Sequence, residues 1–475
     1  MSTELRAQLC VIVASLCLTA HVWGTQAEFK PAMSRPLPTE VAYPIAADFN
    51  HDGILDIAML KGDNNYSSAE VMVLIGTGGG HFLSPTYSPS VTGRCTGLIS
   101  GDFNNDGSLD VAVNNMSGVS VWLGNGDGTF QTAMTYPVPV YGQGLVSGDF
   151  NQDGAIDLAV AGAAAPSRGA VAILFGHGDG TFAEPQLYPV GTGAQNIASG
   201  DLNGDGALDF VVSHAQENSV AVLLNNGDGT FNMVQQEVLA ANVGWLTLGD
   251  VNGDGRLDLL TGLSNFTVGA ALGVGQGNFQ RSKTIAVGEL GLPALSDFNR
   301  DGFLDLALTD EVSNIAVLLG DGNGASFAAP ALYSTGLFPF SVVAADLDGD
   351  GYSDLVTVAT DSLELDIFLN AGAGLPVTLS PIALKFAAQT VGTTSPPQTF
   401  KLTNTSTSNL TISSVIVSGD FLVNNKCAST IAPSGSCNMA IRFRPRATGT
   451  RKGVVTITDN APSSPQRIQL IGIGH

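Results

Sequence analysis

Seven times along this chain of 475 residues a nine-residue pattern of the form D-x-[ND]-x-D-G-x-x-D returns. The copies are DFNHDGILD from Asp48, DFNNDGSLD from Asp102, DFNQDGAID from Asp149, DLNGDGALD from Asp201, DVNGDGRLD from Asp250, DFNRDGFLD from Asp297 and DLDGDGYSD from Asp346. Their starts lie 54, 47, 52, 49, 47 and 49 residues apart. A period of this length marks a repeat architecture in which each unit buries its apolar face only against its neighbours. Short apolar runs such as LDVAV and IDLAVA follow the loops, so each unit is read as a small antiparallel sheet. Seven such sheets in a ring make a β-propeller, and the fold expected is all-β.

The loops carry oxygen ligands at positions 1, 3, 5 and 9 and a glycine at position 6, the donor set and sharp turn that a hard cation such as calcium requires. With the backbone carbonyl of position 7 added, the seven candidate sites can be written out. They are Asp48, Asn50, Asp52, Ile54 and Asp56; Asp102, Asn104, Asp106, Ser108 and Asp110; Asp149, Asn151, Asp153, Ala155 and Asp157; Asp201, Asn203, Asp205, Ala207 and Asp209. The remaining three are Asp250, Asn252, Asp254, Arg256 and Asp258; Asp297, Asn299, Asp301, Phe303 and Asp305; and Asp346, Asp348, Asp350, Tyr352 and Asp354. An EF-hand needs glutamate at position 12, where this chain has Met59, Val113, Val160, Val212, Thr261, Leu308 and Thr357.

A second motif recurs out of phase. GNGDGTF (Gly124 to Phe130), GHGDGTF (Gly176 to Phe182) and NNGDGTF (Asn225 to Phe231) each close a strand-like run, with degraded copies at GTGGGHF, GVGQGNF and GDGNGASF. These read as hairpin turns whose phenylalanine anchors the next strand, and none is a phosphate loop, since none opens a helix. From each turn phenylalanine to the next loop aspartate the distance is 18 to 20 residues, and Phe29 stands 19 before Asp48 with no blade ahead of it. The seventh blade meanwhile ends at NAGAG (Asn370 to Gly374) with no phenylalanine after it. Residues 29 to 37 are therefore expected to supply the outer strand of the last blade and leave no open edge.

The paired loop and turn closely resemble the FG-GAP and VCBS repeats of integrin α-subunit propellers and of many secreted bacterial proteins, over roughly residues 29 to 375. The resemblance implies that each loop joins the first two strands of a blade and binds calcium for structure, up to seven ions in all. Six copies carry Asn at position 3, and only Asp348 restores the Asp most common in integrins. Losing that charge suggests weak sites, on the order of 0.1 to 1 mM.

The chain opens with an apolar stretch from Leu9 to Ala20 and a small-residue end at Ala27, read as a secretory signal of residues 1–27. Twelve apolar residues are too few to span a membrane, so a secreted, extracellular or cell-surface protein without a membrane span is expected. Residues 28–375 hold 39 acids against 9 bases, a net −30, whereas residues 376–475 hold 2 acids against 9 bases. Of the 39 acids, 22 sit in the seven loops, where they repel one another without metal. A field of this sign disfavours nucleic acid as a partner.

From residue 376 the repeat stops, and runs such as QTFKLTN, LTISSVIV, NMAIRFRP and GVVTITDN read as a β-sandwich reaching residue 475. The segment FRPRATGTRKGVVTITDNAPSSPQRIQLIGIG, with Cys427 and Cys437, resembles bacterial immunoglobulin-like modules of the abnormal-spindle/hydin and choice-of-anchor D type. Ten residues apart in an oxidising compartment, these cysteines are expected to form a disulfide, with Cys95 left as a buried small hydrophobe. Arg442, Arg444, Arg446, Arg451 and Lys452 cluster there, read either as a solvated surface or as a docking patch for an anionic partner.

No catalytic constellation is recognisable, so an enzyme is not the favoured reading. An extracellular binding or adhesion module for a glycan or a protein is. A polysaccharide lyase or hydrolase on a propeller scaffold and a calcium-hardened spacer without ligand are the alternatives. By the integrin resemblance the recognition face lies opposite the aspartate loops, on stretches 88 to 96, 138 to 144, 189 to 195, 240 to 245 and 334 to 340 and the insertion Lys61 to Glu70. Arg94, Tyr141, Trp245 and Phe338 are its candidate contact residues, with packing the competing role for Trp245.

Overall fold

A computed structural model describes residues 27–62, 68–164, 168–214, 219–238, 243–263, 267–280, 283–286, 291–310, 312–323, 326–371, 377–381, 383–404, 409–460 and 465–475. Residues 1–26, where the secretory signal is expected, and the middle of the Lys61–Glu70 insertion lie outside the described residues. Among the described residues every regular element is a strand, and no helix is long and apolar enough to cross a membrane.

Residues 33–368 form seven antiparallel sheets of four principal strands, one for each aspartate loop. In the second, Cys95–Gly101 is innermost, followed outward by Asp110–Asn115, Gly118–Trp122 and Met134–Tyr136. The loop from Asp102 joins the two innermost strands, and the same arrangement holds around the ring. The inner strand of the first blade, Val41–Ala47, touches both Cys95–Gly101 and the inner strand of the seventh, Pro339–Ala345, so the sheets close into a propeller.

The apolar runs after the loops are explained by where they lie. Each second strand is covered on both faces by neighbouring blades, and Asp110–Asn115, Asp209–His214 and Asp354–Ala359 are buried throughout. The core is accordingly divided into wedges between blades. Phe103, Val121, Leu158 and Leu174 fill the junction of blades two and three, and Leu202, Val222, Leu259 and Phe279 that of blades four and five.

The ring is completed by the amino-terminal segment. Met33–Pro36 pairs antiparallel with Glu364–Phe368, from Met33 opposite Ile367 to Pro36 opposite Glu364, and serves as the outer strand of blade seven. Just before it Phe29 bridges Asn370, the place Phe130 takes against Gly124 in blade two. The Phe29 ring packs edge-on against Phe298 at 5.7 Å and Tyr333 at 5.2 Å, filling the wedge between blades six and seven.

Five of the blades also grip the loop of the blade before them. The Gly128 amide donates to the Phe49 carbonyl (3.1 Å), Gly180 to Phe103 (3.0 Å) and Gly277 to Leu202 (3.3 Å). Where the turn opens with asparagine the side chain does this instead. Asn225 Nδ2 donates to the Phe150 carbonyl at 2.7 Å, and Asn370 Nδ2 to the Phe298 carbonyl at 2.9 Å.

The carboxy-terminal region is a β-sandwich. One sheet runs Val377–Ser380, Gln398–Asn404, Ser436–Phe443, Phe421–Asn425, and the other Ala383–Lys385, Gln466–Gly474, Gly449–Asp459, Leu410–Val417, Thr430–Ile431. Phe400, Phe421, Phe443, Ile457 and Leu470 form a core drawn from both. Cys427 and Cys437 are joined by a disulfide, and Cys95 is a buried free thiol whose pKa burial pushes up to about 12, which leaves it inert. Much of the basic cluster is engaged within the sandwich. Arg451 Nε donates to Asp420 at 2.6 Å, Arg446 lies 3.8 Å from the same carboxylate, and Arg442 and Arg444 donate to the Ser395 and Gly392 carbonyls.

Candidate metal loops and the opposite face

Every aspartate loop is built the same way. The position 1 carboxylate accepts the amides of positions 5 and 6, as Asp102 does from Asp106 (3.0 Å) and Gly107 (2.9 Å). The position 5 carboxylate accepts the amide of position 7, as in Ser108 to Asp106 at 2.7 Å. In the six loops with asparagine at position 3, its Oδ1 accepts the position 5 amide and its Nδ2 donates to the position 5 carboxylate. Glycine at position 6 is required because the chain is left-handed there, from φ +82° at Gly53 to +94° at Gly302.

Position 9 has a part that the repeat pattern alone does not disclose. Asp56, Asp110, Asp157, Asp209, Asp305 and Asp354 are wholly buried, and Asp258 nearly so. In every blade one oxygen accepts the position 2 amide and the other accepts the amide that opens the blade's own turn, at 2.7 to 3.0 Å. The carboxylate thus ties the loop to the hairpin that follows it. Burial pushes Asp110, Asp157 and Asp209 up to about 6 and Asp305 and Asp354 up to about 7, against the pull of those two hydrogen bonds and with a further push from neighbouring loop carboxylates.

The seventh loop has a donor set that suits a hard cation. In it, oxygens of Asp346, Asp348 and Asp354 converge to within 4.8 Å of one another. A carboxylate oxygen that accepts one amide keeps a second lone pair, so the backbone ties leave ligand capacity. The loops are not equivalent, however. The Arg256 guanidinium pairs with Asp254 inside loop five, and Arg300 of loop six lies 4.0 Å over the Tyr352 ring of loop seven.

Inner strands run from the opposite face toward the loops, and the structure places the other candidate residues as follows. Arg94 is exposed just before the inner strand of blade two. Phe338 is 54% exposed with φ 55°. Tyr141 stands opposite Ala163 in blade three, and its side chain lies outside the described residues. Trp245 is 4% exposed and packs with Val251, Leu260 and Leu306 between blades five and six, so it is a wall and not a surface platform.

Sequence reasoning missed the centre of this face, a cavity of about 480 Å³ walled by the inner strands. Tyr43 and Phe340, packed edge-on at 5.4 Å, separate it from a second cavity of about 450 Å³ that Glu40, Arg94 and Asp361 help to line. No common motif marks the central cavity, because each blade contributes different residues to it.

Comparison with known proteins agrees with this architecture. The FG-GAP-like repeat matches residues 48–113, 102–160, 149–212, 201–261 and 297–357, more than half of the chain. The protein therefore belongs to the FG-GAP-like repeat family and is a propeller-type repeat protein. Residues 385–473 match a family described as a protein of unknown function (DUF1573). No curated protein matches the chain. Among solved structures, BBS1N in complex with ARL6DN is similar at TM-score 0.51 and 14% identity, over 73% of this chain and 98% of that one. An Agrocybe aegerita lectin recognising non-reducing terminal N-acetylglucosamine gives 0.44 and 22%, over 63% and 81%. The V. cholerae biofilm matrix protein Bap1 gives 0.42 and 13%, over 73% and 91%. Only the first of these reaches a TM-score of 0.5, and at 14% identity it speaks for the fold alone.

Proposed function

We propose that this protein is a secreted, calcium-supported binding module that presents the face opposite its aspartate loops to an extracellular glycan or protein. The observation that carries the reading is the division of labour between the two faces. One is given over to carboxylate loops that hold each blade together, and the other gathers aromatic side chains around a central cavity. Calcium in the loops would be structural. It would neutralise the clustered carboxylates and add binding free energy to the folded state alone. Secretion follows from the amino-terminal apolar stretch and suits sites that need a calcium-rich medium.

Retention of the calcium-loaded protein on a panel of neutral and acidic polysaccharides, scored together with release of new sugar ends, tests the reading. Saturable retention without release is expected. Release would make the protein an enzyme, and neither would leave a spacer. A chelator is expected to lower the melting temperature by at least about 10 °C, since several sites act together. Unchanged melting in excess EDTA would remove calcium from the account.

The metal-free protein should also show a characteristic pH dependence. Position 9 carboxylates bind protons more tightly folded than unfolded, so the stabilisation is full below about pH 4 and is lost as pH rises through 6 to 7. In chelator the melting temperature is therefore expected to be higher at pH 5 than at pH 8. A melting temperature that instead climbs with pH in chelator contradicts the assignment.

A further inference from the structure

The inner strands are irregular where they wall the central cavity. Pairing to the second strand slips between Ala42 and Ile45, between Thr96 and Leu98, between Tyr141 and Gly144, between Ala194 and Ile197, between Val243 and Trp245, and between Pro339 and Val342. Six blades thus carry a bulge at one level of the ring, and bulges re-aim side chains. Two bulky residues in this region, Tyr43 and Phe338, are held left-handed at φ 52° and 55°.

A second observation is independent of the backbone. Four buried side-chain atoms without a hydrogen-bond partner belong to this end of the ring: Trp245 Nε1, Ser341 Oγ, Thr309 Oγ1 and Asn114 Oδ1. Trp245 and Ser341, 4% and 5% exposed, line the cavity itself. Thr309 Oγ1 lies behind Gly291, which also lines it, and the Asn114 amide donates to the bulged Gly142. Native structures rarely leave such atoms unpaired, and a ligand or ordered water at the site is the usual reason.

The third observation concerns charge. In a ring of net −30, no Asp, Glu, Lys, Arg or His is among the described residues lining the central cavity. An anion would find no cation there, and a cation would find no carboxylate. A purely apolar group would leave Ser341 Oγ unpaired. What fits is an uncharged molecule with apolar faces for Tyr43, Trp245 and Phe340 and several hydroxyls that both donate and accept. A cavity of about 480 Å³ falls in the size range of small-molecule sites.

We propose that the central cavity binds the end of a neutral saccharide, one or two hexopyranose rings deep. The proposal rests on the binding-module reading above and assigns it a site. Trp245 supplies the probe, because Trp122 and Trp245 are the only tryptophans after the signal segment. In a Trp122→Phe background, calcium-loaded protein is titrated with glucose, galactose, mannose, N-acetylglucosamine and their disaccharides. Calorimetric titration of the unsubstituted chain runs alongside. At least one sugar is expected to give a saturable change in Trp245 emission and matching heat. Phe340→Ala and Ser341→Val should each weaken it about tenfold without moving the melting temperature. Binding that survives both substitutions overturns the proposal. So does preference for glucuronate, or for phenol or indole, over every neutral sugar. If Phe340→Ala retains full polysaccharide retention, the cavity is wrong and the binding-module reading stands. If no polysaccharide or sugar binds at all, the glycan form of both fails.

Discussion

A chain that begins at Pro38 is expected to melt at least about 10–20 °C below the chain that begins at Ala27. The shortened chain lacks the outer strand of blade seven, together with Phe29, Met33 and Leu37, which pack in the wedges flanking that blade. Burial of three such side chains contributes roughly 5 kcal/mol, and in a domain of this size each kcal/mol moves melting by about 2–4 °C. The loss also uncovers the edge of Glu364–Phe368, a template for pairing with another molecule, so aggregation should rise with it. A peptide of residues 27–37 added in excess should restore part of the melting temperature. Equal melting of the two chains, measured calorimetrically, would show that the ring does not need its closing strand.

The second large effect is expected at position 9. Asp157→Ala removes the acceptor for the Phe150 and Gly176 amides, both at 2.8 Å and buried. Two orphaned amides cost about 3–5 kcal/mol. Asp153→Ala in the same loop removes an exposed carboxylate that accepts the Ala155 amide and Asn151 Nδ2, both at 2.8 Å, and that would also meet a metal ion. In excess chelator Asp153→Ala, whose lost hydrogen bonds are exposed or half-buried, should therefore cost only about 2–3 °C, whereas Asp157→Ala should still lower the melting temperature by about 6 °C or more. If the two substitutions have the same effect in chelator, the position 9 carboxylate is a ligand and nothing more.

How much of this was legible in the sequence depends on whether a residue acts through spacing or through packing. The all-β fold and its repeats could be read from the loops, because a nine-residue pattern at a fixed period reports one local conformation made many times over. Phe29 could be singled out for the same reason, since it stands where a turn phenylalanine stands relative to Asp48, and in the structure it meets Asn370 and Phe298. The paired role of position 9 was not legible, although a signal exists. The turn opens with Gly76, Gly124, Gly176, Gly273 and Gly320 but with Asn225 and Asn370 elsewhere, and what these share is the backbone amide given to the aspartate. Trp245 stayed open between contact residue and packing, because sequence does not tell which side of an inner strand faces a neighbouring blade; in the structure it packs between blades five and six. The central cavity left no trace, since its walls are Tyr43 in one blade, Gly97 in the next and Asn196 or Phe340 in others.

The grip of five turns on the loop one blade earlier gives the ring a direction. Gly128 fastens onto Phe49, Gly180 onto Phe103, Asn225 onto Phe150 and Asn370 onto Phe298, always from later in the chain to earlier. During synthesis, a newly emerged blade would therefore lock its predecessor in place. The first segment, by contrast, waits for the last blade before its own strand finds a partner, with Ser34 and Asp366 separated by 332 positions. Assembly of such a chain is a zipper with its clasp sewn on at the beginning, and the slow step expected of it is the meeting of the two ends.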